Sequence, residues 1–195
     1  MAMSSTPSIL KSDPALKVIQ TSIPEIKIFE PRLASDFRGF FMESYNRRSF
    51  AECGLDRTFV QDNHSFSIHG VVRGLHYQNP RPQGKLVRVI TGEIFDVAVD
   101  LRRSSPTFGN STQVILSADN RRMLWVPEGF AHGFLVLSAG ADVLYKTTEY
   151  YAPDCEHTLL WSDPQLGIEW PITTTALVSA KDASAAPFSA ARYYE

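Results

Sequence analysis

The segment Arg73-Gly74-Leu75-His76-Tyr77-Gln78 puts an imidazole inside a strand-like apolar pattern, where packing alone calls for no polar group. A strand histidine is most often a hydrogen-bonded structural residue. A neutral imidazole is also a general base at neutral pH. Lys85 follows Gln83-Gly84 and opens a strongly apolar run. It reads either as a solvated strand end or as an ammonium aimed into a cavity, where it would stabilise negative charge on an oxygen. Tyr145, in Val143-Leu144-Tyr145-Lys146, reads either as a core aromatic with its hydroxyl at the rim or as a proton donor opposite a base. Base, cation and acid together would suit proton transfer with charge developing on an oxygen.

Arginines and polar residues add a binding layer. Arg38 lies in Asp36-Phe37-Arg38-Gly39-Phe40-Phe41, and Arg73 precedes Gly74. Guanidinium pairs suit phosphate oxygens, while glycine beside arginine marks either a simple turn or close approach of backbone to a ligand. Gln61, Asn63 and His64 form a dense polar cluster that could equally be a strand end satisfying its own backbone. Arg73 and His76 are three apart, so a regular strand sends them to opposite faces. If both serve one site, Gly74 must host a bulge or bend.

The elements that would hold these residues are mostly short runs of alternating character. In residues 85–101, Leu86, Arg88 and Ile90 share one face and Val87 and Val89 the other. After Thr91-Gly92-Glu93, Phe95, Val97, Val99 and Leu101 alternate with Ile94, Asp96, Ala98 and Asp100, the signature of a β-hairpin. Further strands are expected at 18–21, 27–29, 40–45, 59–62, 71–77, 112–116, 133–137, 142–147 and 158–161, with short helices at 47–52 and within 184–192. The twelve prolines fall mainly at strand boundaries. An all-β antiparallel sandwich or barrel is the expected class.

Bulk properties fit one domain. The chain has 195 residues, 44% hydrophobic and 21% charged, enough to bury a core without staples. A net charge of −2 gives no reason to expect nucleic acid or an anionic membrane as partner, so an anionic ligand must be met by local Arg and Lys. Cys53 and Cys155 are far apart and read as free thiols in a reducing compartment, the cytoplasm by default. No apolar run spans a bilayer. Residues 1–17 read as a flexible lead-in, 18–183 as the domain and 184–195 as a tail with a short helix.

Taken in order, these segments resemble the dTDP-4-dehydrorhamnose 3,5-epimerase family, a cupin-like enzyme family. The resemblance runs from about Thr21 to about Ala185. It includes Arg73-Gly74-Leu75-His76-Tyr77-Gln78, Gly84-Lys85-Leu86-Val87, Phe95-Asp96-Val97-Ala98-Val99-Asp100, Gly167-Ile168-Glu169-Trp170-Pro171 and Ser179-Ala180-Lys181-Asp182. It implies a β-jelly roll, a homodimer, and no metal or organic cofactor. His76 becomes the general base, Asp182 its orienting partner, Tyr145 the general acid, and Lys85 the group near the sugar carbonyl. Arg38, Glu43, Gln61, Asn63, Arg73, His132, Glu156 and Lys181 fall on substrate-contacting positions, and Tyr151 on an aromatic that stacks on thymine. The sequence departs from the family at its N-terminal extension, in the loop 79–83, and after Ala186.

The implied substrate is the nucleotide sugar dTDP-4-dehydro-6-deoxy-D-glucose, whose C4 ketone acidifies the hydrogens on C3 and C5. Removing either gives an enolate, and epimerisation needs a base on one face and an acid on the other. No redox step occurs, in keeping with the lack of a Gly-rich dinucleotide fingerprint. Close rivals are mono-epimerases acting at one carbon or on a related 4-keto sugar. A metal-dependent cupin oxygenase would use Pro127-Glu128-Gly129-Phe130-Ala131-His132 as its second motif. Its first motif needs a His-x-His pair, and Gly74 stands two residues before His76. A non-catalytic sugar-binding sandwich would have no use for His76, Lys85, Tyr145 and Asp182 as a set.

Overall fold

A computed structural model describes residues 15–172 and 175–195. Most of the lead-in expected at 1–17 therefore lies outside the described residues, while Leu16 and Lys17 belong to the first strand. In chain order the strands are β1 (Leu16–Gln20), β2 (Lys27–Pro31), β3 (Ala34–Asp36), β4 (Gly39–Phe41), β5 (Gln61–Ile68), β6 (Val71–Gln78) and β7 (Lys85–Thr91). They continue with β8 (Glu93–Asp100), β9 (Ser111–Ser117), β10 (Met123–Val126), β11 (Phe130–Val136), β12 (Gly140–Thr147), β13 (Glu156–Thr158) and β14 (Leu177–Val178). Among the described residues helices are minor: α1 (Arg47–Glu52), α2 (Ala180–Ala183) and three 3-10 turns. No helix among the described residues is long and apolar enough to cross a membrane.

Two sheets face each other in a cupin-like antiparallel sandwich. One has the order β1-β2-β10-β7-β12-β5; the other runs β13-β6-β11-β8-β9, with β14 added in parallel to β6. Between them Val87, Val89, Ile94, Ala98, Leu116, Leu124, Phe134 and Val143 form the main core. The outer faces are covered too. Leu86, Met123 and Trp125 pack under Leu16, Phe29, Phe50 and Leu55, while Leu75, Tyr77, Val97 and Val99 pack under Phe188, Tyr193 and Tyr194. Strands apolar on both faces follow from this double covering.

The strands of residues 85–101 lie where the alternation puts them, but they do not pair as the expected hairpin. β7 pairs with β10 and β12, and β8 with β9 and β11, so the two belong to opposite sheets. Only Gly92, at φ +79°, separates them, and this link is shorter than a two-residue hairpin loop. It carries the chain across the sandwich. The helix expected within 184–192 is a single 3-10 turn, Phe188–Ala190, because the aromatic side chains around it are drawn onto the second sheet. The strand expected at 40–45 stops at Phe41, where it pairs with β3. Asn46 then caps α1 by accepting the N–H groups of Arg48 and Ser49.

Candidate active site

A cavity of about 230 Å³ opens between the sheets, lined among others by Arg73, His76, Gln78, Lys85, His132, Tyr145, Tyr151 and Glu156. β6 supplies His76. Its ring Nε2 lies 2.7 Å from Oδ1 of Asp182, so the imidazole donates to the carboxylate. Asp182 sits in α2, whose N-cap Ser179 accepts the Asp182 N–H at 3.1 Å, and its Oδ2 accepts the N–H of Gly74 at 3.3 Å. Burial acts to raise the Asp182 pKa, but the hydrogen bond and charge of His76, together with the Gly74 N–H and Ser179, outweigh it and hold the carboxyl below its ordinary value.

The parity conflict between Arg73 and His76 is resolved at Gly74. Its φ is +126°, and the pairing of β6 with β11 shifts register between His132 and Phe134. A Cβ at Gly74 would fall 2.6 Å from the Gly133 Cα, so only glycine permits this approach. The irregularity brings Arg73 to the same cavity, where its Nε donates to Ser67 Oγ at 2.8 Å.

Lys85 and Tyr145 come from the opposite sheet, on β7 and β12. Lys85 is a buried residue, 7% exposed, and its Nζ donates to the carbonyl of His76 at 3.1 Å. The solvated-end reading of this lysine fails. Burial drives its pKa down to about 8, against the pull of Asp96 and Glu156, which favour the charged form. Tyr145 is packed against the main core, and its hydroxyl has no protein partner among the described residues. Burial pushes its phenol up, only partly offset by Arg73, so it keeps its proton at neutral pH.

At the mouth, Glu156 on β13 accepts from the Tyr151 hydroxyl at 2.9 Å and pairs with Lys181 at 2.6 Å. Gln61 accepts the N–H of Tyr151 at 3.0 Å and donates to Asn63 at 2.8 Å. This polar cluster lies within β5, whose odd-numbered side chains are more buried than its even-numbered ones. The strand expected at 59–62 begins instead at Gln61 and runs on to Ile68; its inner face is polar and gives no apolar alternation. Gln78 ties the mouth together. Its Oε1 accepts the N–H of Ala152 at 2.8 Å, and its Nε2 donates to the carbonyls of Arg81 and Tyr150 at 2.8 and 3.2 Å.

Two expected contact residues are not brought here. Arg38 pairs with Asp36 on the exposed β3–β4 hairpin, and Glu43 accepts from Asn46 and Ser49 beside α1. Sequence reasoning also passed over Asp96, Gln78, Gln83 and Ser65. Asp96 carried a signal: it alternates with apolar Ile94 and Ala98 on the core face of β8. Among the described residues no three His, Cys, Asp or Glu side chains converge as a metal-ion site.

Comparisons with known proteins give the family. A sequence profile described as dTDP-4-dehydrorhamnose 3,5-epimerase matches residues 20–190. The chain is 55% identical to the dTDP-4-dehydrorhamnose 3,5-epimerase of Pseudomonas aeruginosa, over 89% of its own length and 97% of the relative's. It is 56% identical to that of Salmonella typhimurium, over 86% and 93%. A crystal structure of a dTDP-6-deoxy-D-glucose-3,5-epimerase from Legionella pneumophila, in complex with dTDP-4-keto-L-rhamnose, superposes with a TM-score of 0.88. That match has 52% identity and covers 90% of this chain and 94% of the other. The chain belongs to the dTDP-4-dehydrorhamnose 3,5-epimerase family.

Proposed function

We propose that this chain inverts C3 and C5 of dTDP-4-dehydro-6-deoxy-D-glucose to give dTDP-4-dehydro-L-rhamnose. The observation that carries the mechanism is that His76 and Tyr145 enter one cavity from opposing sheets, so a sugar ring between them has a base on one face and an acid on the other. His76, its Nε2–H held by Asp182, takes the proton beside the ketone through Nδ1. The bonding pair passes to the ketone oxygen, where the Lys85 ammonium stabilises the enolate. Tyr145 then delivers its proton from the other face, the carbonyl re-forms, and solvent restores both groups.

The cavity accepts a sugar ring but is smaller than sites enclosing a whole drug-sized ligand. The nucleotide therefore lies at the mouth, with Tyr151, 51% exposed, available to stack on thymine and Arg73 near the diphosphate. Gln61, Asn63, His132, Glu156 and Lys181 complete the contacts.

We further infer a homodimer in the cytoplasm. Phe37, at 98% exposed, and Phe41 leave the β3–β4 hairpin with an apolar surface, and Phe66 and Ile68 do the same on β5. A partner copy would cover them and would let Arg38 reach a cavity other than its own. Mixing inactive Arg38→Ala and His76→Ala subunits should then restore part of the activity.

The activity itself is tested by incubating protein and substrate in deuterated water and following the sugar by NMR. Deuterium should enter at C3 and C5, and His76→Ala should abolish both. Exchange at one carbon alone would leave a mono-epimerase.

A further inference from the structure

His132 repeats, one strand over, the arrangement of His76. The two are register partners across β6 and β11, and both line the cavity. Each ring is tied through Nε2 to a carboxylate: His76 to Asp182, and His132 to both oxygens of Asp96 at 2.8 and 3.0 Å. Asp96 is 0% exposed, in the middle of β8, and His132 is its only side-chain hydrogen-bond partner among the described residues. Packing would favour an apolar residue at this place between Ile94 and Ala98. A buried carboxylate is costly unless it is paired.

We propose that Asp96 is a positioning residue: it holds His132 in the tautomer protonated at Nε2, so that Nδ1 accepts a hydrogen bond from the sugar hydroxyl beside the ketone. A carboxylate only accepts, so the shared proton sits on Nε2. Nδ1 then carries a lone pair, and it has no protein partner among the described residues. A lone pair would repel an enolate oxygen and welcomes a hydroxyl. Lys85, a pure donor, takes the ketone oxygen instead. The cavity thus holds one donor for C=O and one acceptor for C–OH, which tells a keto carbon from its carbinol neighbour. This rests on the epimerase reading given above.

Protein labelled with 15N-histidine tests the tautomer directly, with His132→Asn identifying the resonance. The wild-type ring should be protonated at Nε2, and Asp96→Asn should lose or mix that tautomer. In steady state Asp96→Asn should raise KM for the keto-sugar nucleotide about tenfold, as expected for an unmade buried hydrogen bond. The Kd for dTDP, which lacks the keto sugar, should stay within about twofold. Adding Asp96→Asn to His132→Asn should cost nothing further, because Asp96 acts through His132. A wild-type Nδ1–H tautomer overturns the proposal even if Asp96→Asn does not fold. So does a changed tautomer with an unchanged KM. Wild-type protein that epimerises no keto sugar would sink the activity reading instead, leaving the tautomer to judge Asp96 alone.

Discussion

The carboxylate of Asp182 accepts from His76 Nε2 at 2.7 Å and from the backbone N–H of Gly74 at 3.3 Å. One side chain, 106 residues further along the chain than His76, therefore fixes both the imidazole and the irregular backbone two residues before it. Asp182→Asn should lower kcat by roughly 10⁴, the loss seen when an orienting carboxylate elsewhere becomes an amide and the wrong tautomer results. Steady-state kinetics should show KM nearly unchanged. Because the folded pKa of Asp182 is depressed, its stabilising contribution is present above the unfolded value and is lost as pH falls through the folded one. The stability deficit of Asp182→Asn, read by denaturant titration, should therefore shrink below about pH 3.9.

Tyr145→Phe removes the proposed acid and leaves the proposed base. Solvent deuterium should still enter the sugar through His76, while net inversion slows by about 10²–10⁴, the usual contribution of general acid catalysis. NMR of the product mixture separates the two. Full inversion by the phenylalanine variant would remove Tyr145 from the acid role.

Lys85 is held against its own preference. Burial lowers its pKa from 10.5 to about 8, opposed by Asp96 and Glu156. The unfolded chain thus binds the proton more tightly, and stability should rise with pH between about 8 and 10.5. At about 1.4 kcal/mol per pH unit, the rise across that span amounts to about 3 kcal/mol. Lys85→Met should be more stable at pH 7 by up to that amount and show no gain at pH 10.5, by thermal or denaturant melts. Its kcat should fall by about 10²–10³ for want of the enolate's cation. In the wild type, kcat/KM should decline above about pH 8 as the ammonium is lost.

Gly74→Ala meets two obstacles at once: a φ of +126° and a Cβ 2.6 Å from Gly133 Cα and 2.9 Å from the His132 carbonyl. We expect a loss of about 2 kcal/mol or more in stability. The two strands that carry His76 and His132 would part, so kcat should fall as well. A variant with unchanged Tm and kcat would contradict the close approach.

Much of this site was legible because its residues break local rules. His76, Lys85 and Tyr145 are polar groups in apolar strands, and the clash of parity between Arg73 and His76 pointed to Gly74. The sheet partners were harder to read. Alternation gives a strand its two faces, and with both faces of the sandwich covered it does not say which strand lies beside which, so β7 and β8 looked like a hairpin. β5 was cut short because its inward residues, Gln61, Asn63, Ser65 and Ser67, are polar. The pairing of Asp182 with His76, and of Asp96 with His132, depends on long-range packing that no local pattern contains.

Gln78 holds residues on both sides of the cavity mouth through one amide: the carbonyl of Arg81 on one side, and Tyr150 and Ala152 on the other. Tyr151 sits between the last two. A change in the 79–83 loop therefore propagates through the amide to Tyr151, the aromatic we propose to stack on the nucleotide base. Redesigning this enzyme for a bulkier sugar by altering that loop alone would also disturb its grip on the nucleotide. The two specificities are geared together, and a new substrate would require both banks of the mouth to be rebuilt at the same time.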